Sequence, residues 1–275
     1  MGILKRLFKR DPKAQLAKMA GDFKLPSLPK VAMEVRGLLR NEKSSNREIG
    51  ECLKRDAGLT MRLLQSVNSA AAARTRRISD PTQAVGLLGR ANLEYLVLAH
   101  ATRDALPNPK ATGYSAEQFW EIATQRAALA ETISRQVRPA EAGVAYAGSL
   151  LQDMAIPILA KVMRKEYRPL LAEVDGDWSI LDELEREKLG WDHGDFGGLM
   201  CEAWQFPDEI TAAVTSHHRD AHEELPVPDA VRAVAFIQSP SLSEGDLSRL
   251  QEGLDDTFGI SPAETRKLLE LHFAA

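Results

Sequence analysis

The stretch Leu28-Pro29-Lys30-Val31-Ala32-Met33-Glu34-Val35-Arg36-Gly37-Leu38-Leu39 reads as a helix. Leu28, Val31, Val35, Leu38 and Leu39 fall on one stripe, the i, i+3, i+4, i+7 spacing of an element with one apolar face. Working outward, Ser45-Asn46-Arg47-Glu48 is a capping box, in which serine and glutamate each satisfy the other's free amide. It opens a helix through Ile49, Cys52 and Leu53. Asp56 is placed to cap the run Leu59, Leu63, Leu64, Val67. Asp80-Pro81-Thr82-Gln83 supplies an N-cap, a proline at the first helical position and a Gln three residues after the cap. Gly89 suits a helix stop before a second apolar helix, Leu93 to Leu106.

Pro107-Asn108-Pro109-Lys110-Ala111-Thr112-Gly113 has two prolines, a glycine and no apolar periodicity, and is the best internal boundary. Beyond it the pattern predicts helices at about 115–136, 139–165, 178–189, 193–205, 207–218 and 227–238. A polar patch at 239–243 precedes two more, the second opened by the capping box Ser261-Pro262-Ala263-Glu264. No segment alternates over strand length and no repeat is visible. The expected fold is all-α, a two-lobed helical bundle.

The chain has 275 residues, 44% hydrophobic and 27% charged, the balance of an ordinary globular protein able to bury its own core. A net charge of −4 and a pI near 5.9 argue against a general nucleic-acid binder. Cys52 and Cys201 match no zinc or redox spacing and are expected to be reduced, buried thiols in a cytoplasmic protein. No apolar run is expected to reach the roughly 20 residues that cross a bilayer. No secretion signal is read at the N-terminus. Residues 1–13 hold five basic side chains against Asp11, so this segment is +4 and the rest of the chain −8. Ile3, Leu4, Leu7 and Phe8 give it an apolar face. It could lie on an anionic membrane surface, although one short face binds marginally and docking on the protein's own body is the preferred reading.

Nucleophilic hydrolysis has no Gly-x-Ser-x-Gly elbow here, and no Gly-rich loop opens a helix to cradle phosphate. Gly143 and Gly148 lie inside an apolar helix and are expected to serve close packing. His100 reads as a core residue, His222 and His272 as surface residues. The remaining group is His193, His217 and His218 with Asp153, Asp192 and Asp195. Imidazole and carboxylate together form the nitrogen and oxygen set preferred by Mn, Fe, Ni or Zn, here spread over separate helices, as a site inside a helix bundle requires. Structural roles compete: Asp192 or His193 as a helix cap, and Asp195 in the first turn, where the helix dipole favours an acid.

These residues carry a family resemblance. Leu25-Pro26-Ser27-Leu28-Pro29, Arg55-Asp56-Ala57-Gly58-Leu59-Thr60, Leu64-Gln65-Ser66-Val67-Asn68-Ser69, Ile78-Ser79 and Gln83-Ala84-Val85-Gly86-Leu87-Leu88-Gly89 follow one another in order. Gly148-Ser149-Leu150-Leu151-Gln152-Asp153, Glu185-Arg186-Glu187, Asp192-His193 and His217-His218 complete the series. The chain resembles the HDOD family, a bacterial branch of the HD phosphohydrolase superfamily, over residues 22–220. That implies a lobe at 22–106, an HD-like lobe at 114–220 and a helical extension at 221–275, after a basic segment at 1–20.

An active HD enzyme needs a His on the preceding helix, the His-Asp pair and a later Asp. The resemblance places these at or near Ile122, at Gln152-Asp153 and near Phe236, so three of the four ligands are replaced. His193, His217 and His218 match the extra histidines that some members use for a second metal. The resemblance therefore implies a degenerate site: no catalytic residue, no required cofactor, and at most one weakly held ion on Asp153, His193, His217 and His218. The expected role is a non-catalytic bacterial signal-transduction module acting on unidentified signalling proteins. Asn68, Arg74, Arg76 and Arg77 are candidate partner contacts. The alternatives are a residual metal-dependent phosphodiesterase or phosphohydrolase, and a membrane-surface or nucleotide-sensing adaptor.

Overall fold

A computed structural model describes residues 25–69, 77–218, 227–238, 242 and 244–273, and every regular element among them is helical. In chain order the α-helices are α1 (Lys30–Arg40), α2 (Asn46–Leu53), α3 (Ala57–Ser69), α4 (Pro81–Leu88), α5 (Arg90–Ala105), α6 (Ala116–Val137), α7 (Ala142–Leu151) and α8 (Ala155–Val162). They continue as α9 (Arg168–Val174), α10 (Leu181–Leu189), α11 (His193–Ala203), α12 (Asp208–Ser216), α13 (Asp229–Ala235), α14 (Glu244–Phe258) and α15 (Pro262–Phe273). Single 3₁₀ turns at Pro139–Glu141 and Trp178–Ile180 lead into α7 and α10.

The expected caps are present. The Ser45 hydroxyl accepts from the Glu48 amide at 3.2 Å while the Glu48 carboxylate accepts from the Ser45 amide at 2.7 Å. Asp56 caps α3 through the Leu59 amide, Asp80 caps α4 through the Thr82 amide, and Ser261 and Glu264 form the box that opens α15. Gly89 joins α4 to α5 with φ of +74°.

One expected helix is broken. The span 139–165 divides into the 3₁₀ turn, α7, a turn at Gln152–Met154 and α8. Pro157 explains the break: it has no N–H to give the Asp153 carbonyl four residues back, and its ring would clash there. In the first turn of a new helix the same proline is tolerated. The helix α9 was not expected from the sequence. Contrary to expectation, Pro139–Val162 is long and apolar enough to span a bilayer by composition, but its apolar window is entirely buried inside the protein.

Three hydrophobic cores organise the described residues. The first packs α1 to α5 through Val35, Ile49, Leu53, Leu63 and Val97. The second centres on α7 and α8, with Leu151, Ile158, Tyr167 and Phe196. The third joins Leu129 and Ile133 of α6 to Val231 and Val234 of α13 and to Leu250, Leu254 and Leu268. Helix α5 faces two of them, with Leu93 and Val97 in the first and Leu96 and Ala99 in the second. The Pro107–Gly113 segment thus separates the lobes along the chain, while α5 holds them together in space. Described residues from α13, α14 and α15 share the third core with α6 and α12.

The lobes are also tied at the turn between α11 and α12. Buried Arg36 pairs with Glu94 at 2.9 Å and donates to the Trp204 carbonyl at 3.0 Å and to the Gln205 carbonyl. The Trp204 indole donates to the Pro26 carbonyl at 3.2 Å.

Helix α7 is buried along its whole length, so its glycines permit close approach. A Cβ on Gly148 would lie 2.6 Å from the Ala213 Cβ and 3.3 Å from Val231 Cγ2, and one on Gly143 would lie 2.2 Å from Asn92 Oδ1. At the seam between lobes, buried His100 bonds through Nε2 to the Ser66 hydroxyl at 3.1 Å, and that hydroxyl also meets the Tyr146 hydroxyl at 3.1 Å. Its Nδ1 has no partner. Burial, then the nearby Arg62 and Arg103 charges, push the imidazole pKa down to about 3.

Two outcomes follow for stability. Gly148→Ala forces α7 away from α12 and α13 and should cost about 1–3 kcal/mol in urea unfolding, as overpacking does; a loss below about 0.5 kcal/mol would mean the helices yield. His100 is neutral when folded and takes up a proton below its ordinary 6.5 only when unfolded. Stability is therefore full above about pH 6.5 and falls toward pH 3 by about 1.4 kcal/mol per unit, or about 2 kcal/mol at pH 5. His100→Gln should remove that part of the pH slope, and an unchanged slope would contradict the assignment.

Candidate functional site

Three segments bring Asp153, His193, His217 and His218 together. Asp153 lies in the turn after α7 forced by Pro157, and His193 is the first residue of α11. His217 and His218 follow α12 directly. Asp192 caps α11 in a reciprocal box with Asp195, as one reading of the sequence had it. Gly190, at φ +84°, ends α10 in the left-handed region that favours glycine and turns the chain so that α10 faces α11. Helices α11 and α12 lie so close that a Cβ on Gly197 would sit 2.7 Å from Val214 Cγ1, and one on Gly198 2.3 Å from Thr215 Oγ1. This contact sets the start of α11 beside the end of α12, which is where the histidines are.

One donor atom from each of the four residues lies within 4.8 Å of the others. His193 Nε2 is 2.9 Å from His218 Nε2 and 3.3 Å from His217 Nε2. Asp153 Oδ1 is 3.2 Å from His193 Nε2 and 3.3 Å from His217 Nε2. Around one ion with bonds of about 2.0–2.1 Å, adjacent ligands sit about 2.9 Å apart in octahedral and about 3.3 Å in tetrahedral geometry. Moreover, Asp153 Oδ1 is buried and accepts no properly aligned hydrogen bond, although an unsatisfied carboxylate oxygen is costly to bury. The four donors therefore fit a single divalent ion of the Mn, Fe, Ni or Zn class, with Asp153, His193, His217 and His218 as ligands.

A second layer orients the first. Glu185 on α10 accepts from the His193 amide and sits against His193 Nδ1, both at 2.7 Å, and its other oxygen accepts from the Tyr167 hydroxyl. His217 Nδ1 is held 2.8 Å from the Val214 carbonyl, which leaves its Nε2 facing the cluster. A carboxylate or carbonyl on the far ring nitrogen is the usual way a ligating imidazole is aimed. Arg186 bridges Asp182 at 2.8 Å and Asp192 at 2.5 Å, bracing α10 on the cap of α11.

Burial opposes charge on His193, but Glu185 and Asp153 outweigh it and hold the imidazole well above its ordinary pKa. Burial also opposes the charged form of Asp153, and here Arg126, with the two histidines, overcomes it and keeps the carboxyl well below its usual range. Burial, with the neighbouring His217 and His193, drives His218 far down. The cluster thus balances its own charge without an ion: Asp153 against Arg126, and Glu185 against His193.

The three positions at which the resemblance implied replaced ligands are occupied by packing and hydrogen bonds. Ile122 is a core residue of α6. Gln152, fully buried, donates to the Ala235 carbonyl at 3.3 Å and leaves its Oε1 without a partner. Phe236 stacks under the Arg249 guanidinium at 4.6 Å. Arg126, not singled out from the sequence, contacts Asp153 Oδ2 and points Nη1 at the Ala235 carbonyl 3.4 Å away. A charged residue among Ile122, Ala123, Ala127, Leu129 and Ala130 was the available signal. Tyr167 was missed as well, and Glu185 was quoted only for the resemblance.

Asn68 has a local duty: its amide donates to the Leu64 and Ile78 carbonyls and accepts from the Ile78 amide, all at 2.8 Å. Arg77 is exposed nearby, and both residues line an open groove with Lys54, Met61, Leu64 and Gln65. Arg74, Arg76, His222 and residues 1–13 lie outside the described residues, as does the side chain of His272.

The sequence profile of the HDOD domain matches residues 25–220. The chain belongs to the HDOD family. It is similar to an uncharacterised protein of Treponema pallidum (strain Nichols), with 24% identity over 223 residues. That alignment covers 77% of the chain but only 41% of the other protein's length. Among solved structures, a protein from Shewanella amazonensis SB2B, provisionally named a phosphohydrolase, superposes with a TM-score of 0.72 at 22% identity over 95% of each chain. A protein from Marinobacter aquaeolei VT8, provisionally named for signal transduction, gives 0.61 at 20% identity over 96% of this chain and 65% of its own. At such identities the likeness to this HDOD chain is one of fold.

Tyr167→Phe removes the hydrogen bond to the buried Glu185 oxygen. It should cost about 1.5–3 kcal/mol in denaturant unfolding, the worth of a bond to a charged group. A neutral substitution would mean that Tyr167 does not support the Glu185–His193 pair.

Proposed function

We propose that this HDOD protein is a non-catalytic regulatory module of signal transduction. It works in the cytoplasm through protein–protein contact, and its buried polar cluster holds at most one ion, weakly. The observation that carries the reading is the chemistry at Ile122, Gln152 and Phe236. An isoleucine and a phenylalanine cannot ligate a metal, and an amide is a weak neutral ligand. Metal-dependent hydrolysis needs an ion that acidifies its water and keeps a coordination position open to substrate.

Access argues the same way. Asp153, His193 and His217 are 2%, 2% and 4% exposed, so a phosphoester has little surface to approach. The internal charge balance also keeps ion affinity low, because the histidine nearest the carboxylates must give up its proton to an incoming ion. An ion bound by the four donors would brace α7, α11 and α12 against one another. The groove along α3, lined by Lys54, Met61, Gln65, Asn68 and Arg77, is the candidate face for a partner. HDOD domains, as the resemblance implies, occur alone or beside receiver, sensor or cyclic-dinucleotide modules.

The second reading, a residual metal-dependent phosphohydrolase, draws on the four-donor cluster itself. One comparison separates the two. The protein reconstituted in turn with Mn, Fe, Ni and Zn should bind no more than one ion per chain, lose it in His193→Ala, and hydrolyse phosphomonoesters and phosphodiesters no faster than buffer. Turnover that His193→Ala abolishes would establish the phosphohydrolase and end the regulatory reading.

A further inference from the structure

We propose that Arg126 is a built-in cation standing in for one metal ion of a two-metal phosphohydrolase centre, so that this chain's site has room for one ion and no more. The inference rests on the cluster described above but does not depend on whether that cluster is loaded. The two sides of the Asp153 carboxylate differ. Oδ1 faces His193 and His217 at 3.2 and 3.3 Å. Oδ2 is taken by the Arg126 guanidinium. In a bridged two-metal centre each carboxylate oxygen would face an ion; here a guanidinium faces one of them.

The position of Arg126 fits this substitution. It follows Ile122 by four residues on α6, so the two share a helix face one turn apart. Helical side chains lean toward the N-terminus, which carries the guanidinium back toward the level of Ile122. The Ala235 carbonyl, adjacent to Phe236, receives both Arg126 Nη1 and Gln152 Nε2. Gln152 and Arg126 therefore meet at the backbone just before Phe236, and Ile122 lies one turn from Arg126 on the same helix face. Arg126 itself is 1% exposed.

Stability alone does not explain such a pair. A buried ion pair is frequently no better than apolar side chains of the same volume, and Arg126 Nε is left without a partner. The pair makes sense if the guanidinium takes the place of a cation on the Oδ2 side of Asp153, with the histidines on the Oδ1 side.

The test counts ions and does not rely on activity. The triple variant Ile122→His/Gln152→His/Phe236→Asp rebuilds the ligand set while keeping Arg126; adding Arg126→Ala also removes the guanidinium. With Mn or Zn, the triple variant should bind as many ions per chain as the wild type, and the quadruple variant one more. An extra ion in the triple variant overturns the proposal, as does none in a folded quadruple variant.

Should the redesigned chains not fold, a double-mutant cycle decides. Arg126→Met and Asp153→Asn should each lower Tm by about 10 °C, and the double variant should recover at least half of that loss. In metal-loaded buffer Arg126→Met should gain more Tm than the wild type does. Additive losses with no gain from metal would refute the inference. An unloaded wild-type cluster, with the Arg126→Met gain intact, would mean that the four donors hold no ion in the wild type and would still support this inference.

Discussion

Asp153 is a carboxylate removed from water in the middle of a helical protein, and an ionised group in that position persists only if cations or donors surround it. The protein meets this demand from opposite sides. Arg126 reaches one oxygen from α6, and the histidines after α10 and α12 face the other. Helices α6, α7, α11 and α12 therefore have to meet at one point, and the turn at Gln152–Met154 is where the chain yields to allow it. Glu185 and Tyr167 extend the same arrangement to α10 and the start of α9, so six of the fifteen α-helices among the described residues are committed to one buried charge.

Glycines make the arrangement geometrically possible. Without Gly197 and Gly198, α12 could not approach α11 closely enough for His217 and His218 to reach His193. The Arg36 contacts then fix the opposite end of that helical pair to the first lobe. The pair is thus held at one end by the hydrogen bonds that Arg36 donates across the lobes and at the other by the buried cluster.

Much of this was legible in the sequence where local chemistry decides the outcome. Ser45 and Glu48, Asp80 and Pro81, and Asp192 and Asp195 announce their helices because a cap depends on neighbours within four residues. The helical periodicity and the HDOD blocks correctly gave the fold and brought Asp153, His193, His217 and His218 under suspicion together. What escaped were effects that depend on distant partners. Arg126 looks like any helical arginine until Asp153 is placed beside it, and Tyr167 looks like a core aromatic until Glu185 is. The break at Pro157 was readable by its missing amide but was outweighed by the apolar run around it. The sequence placed a boundary at Pro107–Gly113, yet periodicity could not show that α5 would serve two cores at once.

The account turns on how many cations Asp153 faces and of what kind. Crystals soaked in manganese and measured for anomalous scattering would answer this directly. The account predicts no more than one peak, between Asp153 Oδ1 and the three histidine Nε2 atoms, with the Arg126 guanidinium still on Oδ2. Two peaks about 3.5–4 Å apart that share the Asp153 carboxylate, with Arg126 turned away, would contradict it.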